Sequence, residues 1–276
     1  MESNLERNKL ILEKEVKPIF PTGFSTTVYD QFDSERSQEA AEMKAEKFSA
    51  SALYFQKKLS DMAFNALGVL FLILIVVDIT TKEGFRKDGP INLLYTQPIN
   101  QLSLFLNKFM AGVIIILITL SSVMIISTAL GFIFDRFGDW NFPILRYEEG
   151  ELYSFINLGT YLVQALTLFV CILIFSFTIY FLMSLMTNHL LVGLMCTLVI
   201  YLLGSGMTEI AFFADYAQWN PFSYYSVASI VTQEQAAISG NWELTFRHGT
   251  LTLSLSSLVI LTIMLAFLQF KKKISL

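Results

Sequence analysis

The chain has 276 residues and a formal net charge of −4, with 54% hydrophobic and only 15% charged residues. Soluble domains usually contain about 25% charged residues, so this composition argues against a soluble enzyme and a disordered regulator. The negative charge argues against a nucleic-acid partner, which would need a basic surface. Two cysteines are too few for a disulfide framework. The composition predicts an all-α polytopic membrane protein.

The first 60 residues contain many charges and no apolar run of membrane length. Between Ser34 and about Ser60, the segment is rich in charged residues and contains Ala40, Ala41 and Ala45, a composition that favours a helix. We expect residues 1–60 to form a mostly helical segment outside the membrane, and residues 61–270 to form the transmembrane domain. Residues 271–276 would then be a short tail.

Five transmembrane helices are predicted within the transmembrane domain, because a crossing needs about 20 apolar residues. Their approximate ranges are residues 62–80, 108–134, 155–186, 189–210 and 249–270. The third and fourth spans come from one uncharged stretch, Leu152 to Thr208. This stretch is too long for one crossing and divides at the polar triplet 187–189.

The distribution of basic residues predicts the orientation of the spans, because loops rich in Lys and Arg stay in the cytoplasm. The loop after the first span and the C-terminal tail together carry Lys82, Arg86, Lys87, Lys108, Lys271, Lys272 and Lys273. The loops on the opposite side carry Arg136, Arg146 and Arg247. The C-terminus is therefore expected in the cytoplasm and the N-terminal segment outside.

The loop between the first two spans has the most specific pattern. Gly89-Pro90 separates two elements, and Pro98 ends the short apolar piece that follows. A short amphipathic helix on the cytoplasmic face is the expected structure. Such a helix either lies among lipid headgroups or docks into a groove on a soluble partner. The residues that we expect to form the contacts of this helix are Gly89, Pro90, Leu93, Leu94, Gln97 and Pro98.

Two strings in this chain resemble permease subunits of bacterial type-2 ABC exporters. The first runs from Gly89 to Gln101 and contains Leu93-Leu94 and Gln97-Pro98-Ile99. The second runs from Trp219 to Tyr225 and resembles the Asn-Pro-Phe-x-Tyr string that these permeases carry before their last span. Its residues are Asn220, Pro221, Phe222 and Tyr224. Together with the order of the spans, the resemblance covers about residues 62 to 270.

The resemblance implies a membrane-spanning subunit that forms the translocation pathway and docks a separate ATPase through residues 89–98. ATP and Mg would be bound by that ATPase, with no cofactor in this chain. The other implied partners are a second permease, identical or related, and membrane lipid, at the bacterial plasma membrane. Family members usually have six spans with both termini inside. We therefore expect this chain to lack the first span, as a shortened reading frame would.

Catalytic and metal-binding patterns are absent from the sequence. It contains no Walker-type loop, no His-Glu-x-x-His and no Gly-x-Ser-x-Gly, so an enzyme is not expected. Asp78 and Glu209 lie at span ends and are candidates for a pathway or gate, because ionisable groups in membranes are often functional. The string Gly204-Ser205-Gly206 is expected to allow close helix packing.

Two other functions remain open from the sequence. One is a membrane-embedded immunity or accessory protein that binds a partner without transporting anything. The other is a gradient-driven carrier, which is disfavoured because such carriers usually have carboxylates near the middle of the membrane.

Overall fold

The computed structural model describes residues 2–14, 16, 51–82, 101–150, 152–187, 190–206 and 216–274. The helices are α1 (Glu2–Glu13), α2 (Ala52–Ala63), α3 (Ala66–Lys82), α4 (Gln101–Phe134), α5 (Leu158–Thr187), α6 (Leu190–Gly206), α7 (Val227–Val231), α8 (Glu234–Ser239) and α9 (Phe246–Ile274). Two strands, β1 (Pro143–Glu148) and β2 (Leu152–Asn157), and two 3-10 turns, Ala217–Trp219 and Pro221–Tyr224, complete the described part.

Among the described residues, three stretches of helix are long and apolar enough to cross a membrane: Phe105–Phe134, Leu158–Thr187 and Phe246–Phe267. A fourth is counted if α2 and the first part of α3 form one broken span. Helix α6 has 17 residues and is about 26 Å long, slightly less than the roughly 30 Å of hydrocarbon. The described part is mostly helical and fits a helical membrane protein, while the number of spans stays a prediction.

The beginnings of two predicted spans differ from the observed helices. The range 62–80 crosses a break, because α2 ends at Ala63 and α3 begins at Ala66. The Asn65 side chain accepts hydrogen bonds from the backbone N–H groups of Leu67 and Gly68, at 3.0 and 3.1 Å. Asn65 thus caps the new helix. The range 155–186 begins inside strand β2, so the third span starts at Leu158.

The chain divides into two compact units, and the first contains residues 1–64, 122–167 and 226–246. In this unit, α2 packs against the second half of α4. A Cβ atom on Gly131 would lie 2.5 Å from the Cα of Ala52, so glycine is what permits this approach. The N–H groups of Ala52 and Leu53 donate to the carbonyls of Arg136 and Phe137. These bonds satisfy donors that the start of a helix leaves free.

The first unit also contains an antiparallel hairpin, which pairs β1 and β2 from Pro143↔Asn157 to Glu148↔Leu152. The Tyr147 N–H donates to the Thr232 carbonyl at 2.9 Å, which attaches the hairpin to the segment between α7 and α8. Arg146 Nε donates to Gln233 Oε1 at 2.8 Å beside it. The sequence does not predict this hairpin, because residues 152–157 belong to the same uncharged stretch as the third span.

The second unit contains residues 65–121, 168–225 and 247–276. Its α4 and α5 segments meet through aromatic rings. The Phe105 and Phe181 centroids are 4.9 Å apart, and those of Phe109 and Phe177 are 5.4 Å apart. Gly112 leaves room for the Phe177 ring, since a Cβ there would lie 2.2 Å from it. Small residues opposite large rings are typical of helix packing in membranes.

Candidate functional site

Only some of the predicted site residues belong to the part of the chain that the structure describes. The docking residues Gly89, Pro90, Leu93, Leu94, Gln97 and Pro98 all lie outside them, as does Glu209. Asp78 belongs to helix α3, but its side chain is outside the described part. The string Asn220, Pro221, Phe222 and Tyr224 is described in full, so the geometry of the site can be examined there.

Residues 217–225, which we call the 217–225 turn, form two consecutive 3-10 turns. Pro221 occupies the first position of the second one, where a missing N–H costs nothing. Asn220 precedes it, and its Oδ1 accepts a hydrogen bond from the Phe222 N–H at 3.1 Å. Asn220 Nδ2 donates to the Gly204 carbonyl at 2.9 Å. One amide therefore caps the turn and binds a carbonyl near the end of α6.

Phe222 packs against α6 and α5. A Cβ on Gly204 would lie 2.1 Å from its ring, so only glycine fits at that position. The centroid of Phe222 lies 5.5 Å from that of Phe175 in α5 and 6.2 Å from that of Tyr201 in α6, both edge-on. Gly204 is closely packed, but its neighbour is the Phe222 ring of the turn and not the helix that was expected, and Gly206 meets nothing within 4 Å.

Tyr224 joins the turn to α9 and is fully buried. Its hydroxyl donates to the Gln218 carbonyl at 2.7 Å, and the Thr252 hydroxyl of α9 donates to the same oxygen at 3.0 Å. Gly249 of α9 lies against the Tyr224 ring, because a Cβ there would come within 2.6 Å of it. One carbonyl with two donors thus fixes α9 to the turn.

Tyr225 makes the remaining link, to α5. Its hydroxyl and that of Ser176 form a hydrogen bond of 2.5 Å, and its ring lies 4.8 Å from that of Tyr201. Burial raises the pKa of the Tyr225 hydroxyl, so this group stays neutral at physiological pH. The 217–225 turn therefore binds α5, α6 and α9 through uncharged contacts.

The first unit contains a cluster of Lys57, Asp61 and Tyr161 that was not predicted from the sequence. Lys57 and Asp61, one turn apart in α2, form an ion pair of 2.5 Å. The buried Tyr161 hydroxyl donates to Asp61, and Lys57 Nζ lies 5.3 Å from the centre of the Tyr161 ring. The i,i+4 spacing of Lys57 and Asp61 could have indicated the ion pair. No sequence signal points to Tyr161, which comes from a distant part of the chain.

In the described part of the chain, no group of three or more His, Cys, Asp or Glu residues could hold a metal ion. Cys171 and Cys196 are free thiols in α5 and α6. His248 lies at the start of α9 and His189 is outside the described residues.

A scan of protein-family models, a search of curated proteins and a search of solved structures each find no match to this chain.

Two glycines in the last turn of α6 allow a matched test of the 217–225 turn. Gly204→Ala is expected to destabilise the protein by about 1–3 kcal/mol, the usual cost of overpacking, because the new methyl group collides with Phe222. Gly206→Ala meets nothing within 4 Å and is expected to be neutral or slightly stabilising. Thermal unfolding in detergent measures both. Equal melting temperatures for the two variants would contradict the packing described here.

Proposed function

We propose that this chain is the permease subunit of an ATP-driven exporter of the type-2 ABC class. The observation that carries the proposal is the Asn220-Pro221-Phe222-Ser223-Tyr224 string at a defined place among the apolar helices. It precedes the last long apolar helix, where the resembling permeases have their own string. Its side chains bind α5, α6 and α9 through the contacts described above, so the string has a physical reason to be present.

The proposed topology has five spans, with the C-terminus in the cytoplasm. In addition to the three long helices, α3 and α6 would each cross the membrane. Each has 17 residues, the lower end of the range of about 17–25 that serves for a crossing. The seven basic residues of the 81–108 loop and the C-terminal tail support a cytoplasmic position for both segments. The plasma membrane of a bacterium is the expected location.

Residues 89–98 would provide the contact with the ATPase. Because the chain has no Walker-type loop, nucleotide hydrolysis must occur in a partner. Closure of the ATPases around ATP would push on the 89–98 helix and tilt the spans on either side of it. A second permease would complete the pathway, with Asp78 and Glu209 as candidates for its ends. In this proposal the chain transmits force and lines a path, and it catalyses nothing itself.

The first experiment is to purify the tagged chain from its native membrane in a mild detergent and identify the proteins bound to it. We expect a soluble ATPase in about stoichiometric amount, and ATPase activity in the purified complex. A known exporter permease purified in parallel controls for losses in detergent. If the control keeps its ATPase and this chain brings none, the exporter proposal is wrong. A bound protein without ATPase activity would instead favour an immunity or accessory protein.

A further inference from the structure

Two open apolar grooves lie side by side in the second unit. The first groove, of about 530 Å³, runs between α5 and α6 and includes Met183, Val192 and Cys196. The second groove, of about 460 Å³, lies between α5, α6 and α9 and includes Phe222 and Val259. They share Met183 and Ile200, so they form neighbouring halves of one apolar surface. Every described residue lining them is uncharged.

The grooves begin near one end of the helices. Met183 is four residues before the end of α5, and Val192 is two residues after the start of α6. Helix α9 runs parallel to α5, because Gly249 lies against Leu168 and, further along both helices, Ile260 and Leu182 line the same groove.

The basic end of α9 lies at this same end. Helix α5 ends at Thr187, 19 residues after Leu168. In the parallel helix α9, the residue level with Thr187 is therefore 19 residues after Gly249, at position 268. Residues 271–273, three consecutive lysines, are still helical. They follow about one turn later, at roughly 1.5 Å per residue.

We infer that the two grooves and the lysines at 271–273 bind one anionic phospholipid, its two acyl chains in the two grooves and its headgroup at the lysines. The sequence of α9 selects this ligand, because three consecutive lysines follow in the helix at the end where the apolar grooves begin. The distance between the second groove and the lysines also agrees with the thickness of one leaflet. Ile260 is 11 residues from Lys271, or about 16 Å along the helix. One leaflet of hydrocarbon is about 15 Å thick. This inference needs the chain to lie in a membrane, but it does not depend on an ATPase partner.

The test compares phosphatidylglycerol with phosphatidylcholine of identical acyl chains, added in equal amounts to the full chain in detergent. Native mass spectrometry counts the lipids that remain bound. We expect retention of phosphatidylglycerol to exceed that of phosphatidylcholine by at least about fivefold, the effect of one lysine near an anionic surface. Replacing all three lysines by glutamine should remove this preference. Equal retention of the two lipids by the wild-type chain would overturn the inference.

Matched tryptophan variants separate the grooves from the general apolar surface. Val259 and Leu258 are neighbours in α9 with exposures of 57% and 58%, but only Val259 lines the second groove. We expect Val259→Trp to lower the retention of both lipids several-fold, and Leu258→Trp to have no effect. Met195→Trp in the first groove should act like Val259→Trp. Equal lipid loss in Val259→Trp and Leu258→Trp would contradict the groove as the binding site. A change in oligomeric state in Val259→Trp with unchanged lipid binding would make the groove a subunit interface instead.

Discussion

Replacement of Tyr224 by alanine is expected to destabilise the protein by about 3 kcal/mol or more, the usual cost of removing a buried ring. The ring is fully buried and fills the space left by Gly249 in α9. Its removal leaves a cavity, and the surrounding atoms lose their van der Waals partners, which in a membrane supply most of the attraction between helices. The loss should loosen α9 from the 217–225 turn.

Tyr224→Phe is the matched control for this variant. It keeps the ring and removes only the hydrogen bond to the Gln218 carbonyl, which Thr252 still satisfies. We therefore expect a loss of about 1 kcal/mol or less. Thermal unfolding in detergent and proteolysis of the C-terminal helix provide the measurements. If Tyr224→Ala unfolds at the same temperature as Tyr224→Phe, the ring does not hold α9 in place.

Replacement of Leu94 by glutamate is expected to abolish binding of the ATPase while leaving membrane insertion intact. The proposed docking helix would bury an apolar face in a groove of its partner. A charge placed in such a contact loses its hydration without gaining a partner group. The free-energy cost of burying it is therefore far higher than that of burying an apolar side chain. Insertion should be unaffected, because Leu94 lies in the loop between two predicted spans.

Co-purification with the ATPase measures this effect, and Leu94→Met is the matched control. Methionine has nearly the same volume and no charge, so binding should persist. The amount of each variant in the membrane fraction shows whether insertion is normal. Normal recovery of the ATPase with Leu94→Glu would show that residues 89–98 are not the docking segment.

The sequence alone was sufficient to predict the long apolar helices. Long uncharged runs leave a chain few alternatives to a membrane helix, because the backbone must satisfy its own hydrogen bonds in hydrocarbon. Close packing at Gly204 could also be predicted, because a small residue in an apolar helix usually permits a close neighbour. The sequence predicted another helix as that neighbour, and the structure has the Phe222 ring there.

Only the tertiary structure revealed what these elements contact. Strand β2 is uncharged, like the helix that follows it, and forms a strand by pairing with β1. Tyr161 meets Asp61 across 100 residues of sequence, and Phe222 fits Gly204 through the fold of the turn. The second groove likewise forms only where α9 lies beside α5 and α6. Periodicity and local propensity report how each segment interacts with solvent or lipid. Contacts between distant segments depend instead on which surfaces fit together, and that is decided only when the chain packs.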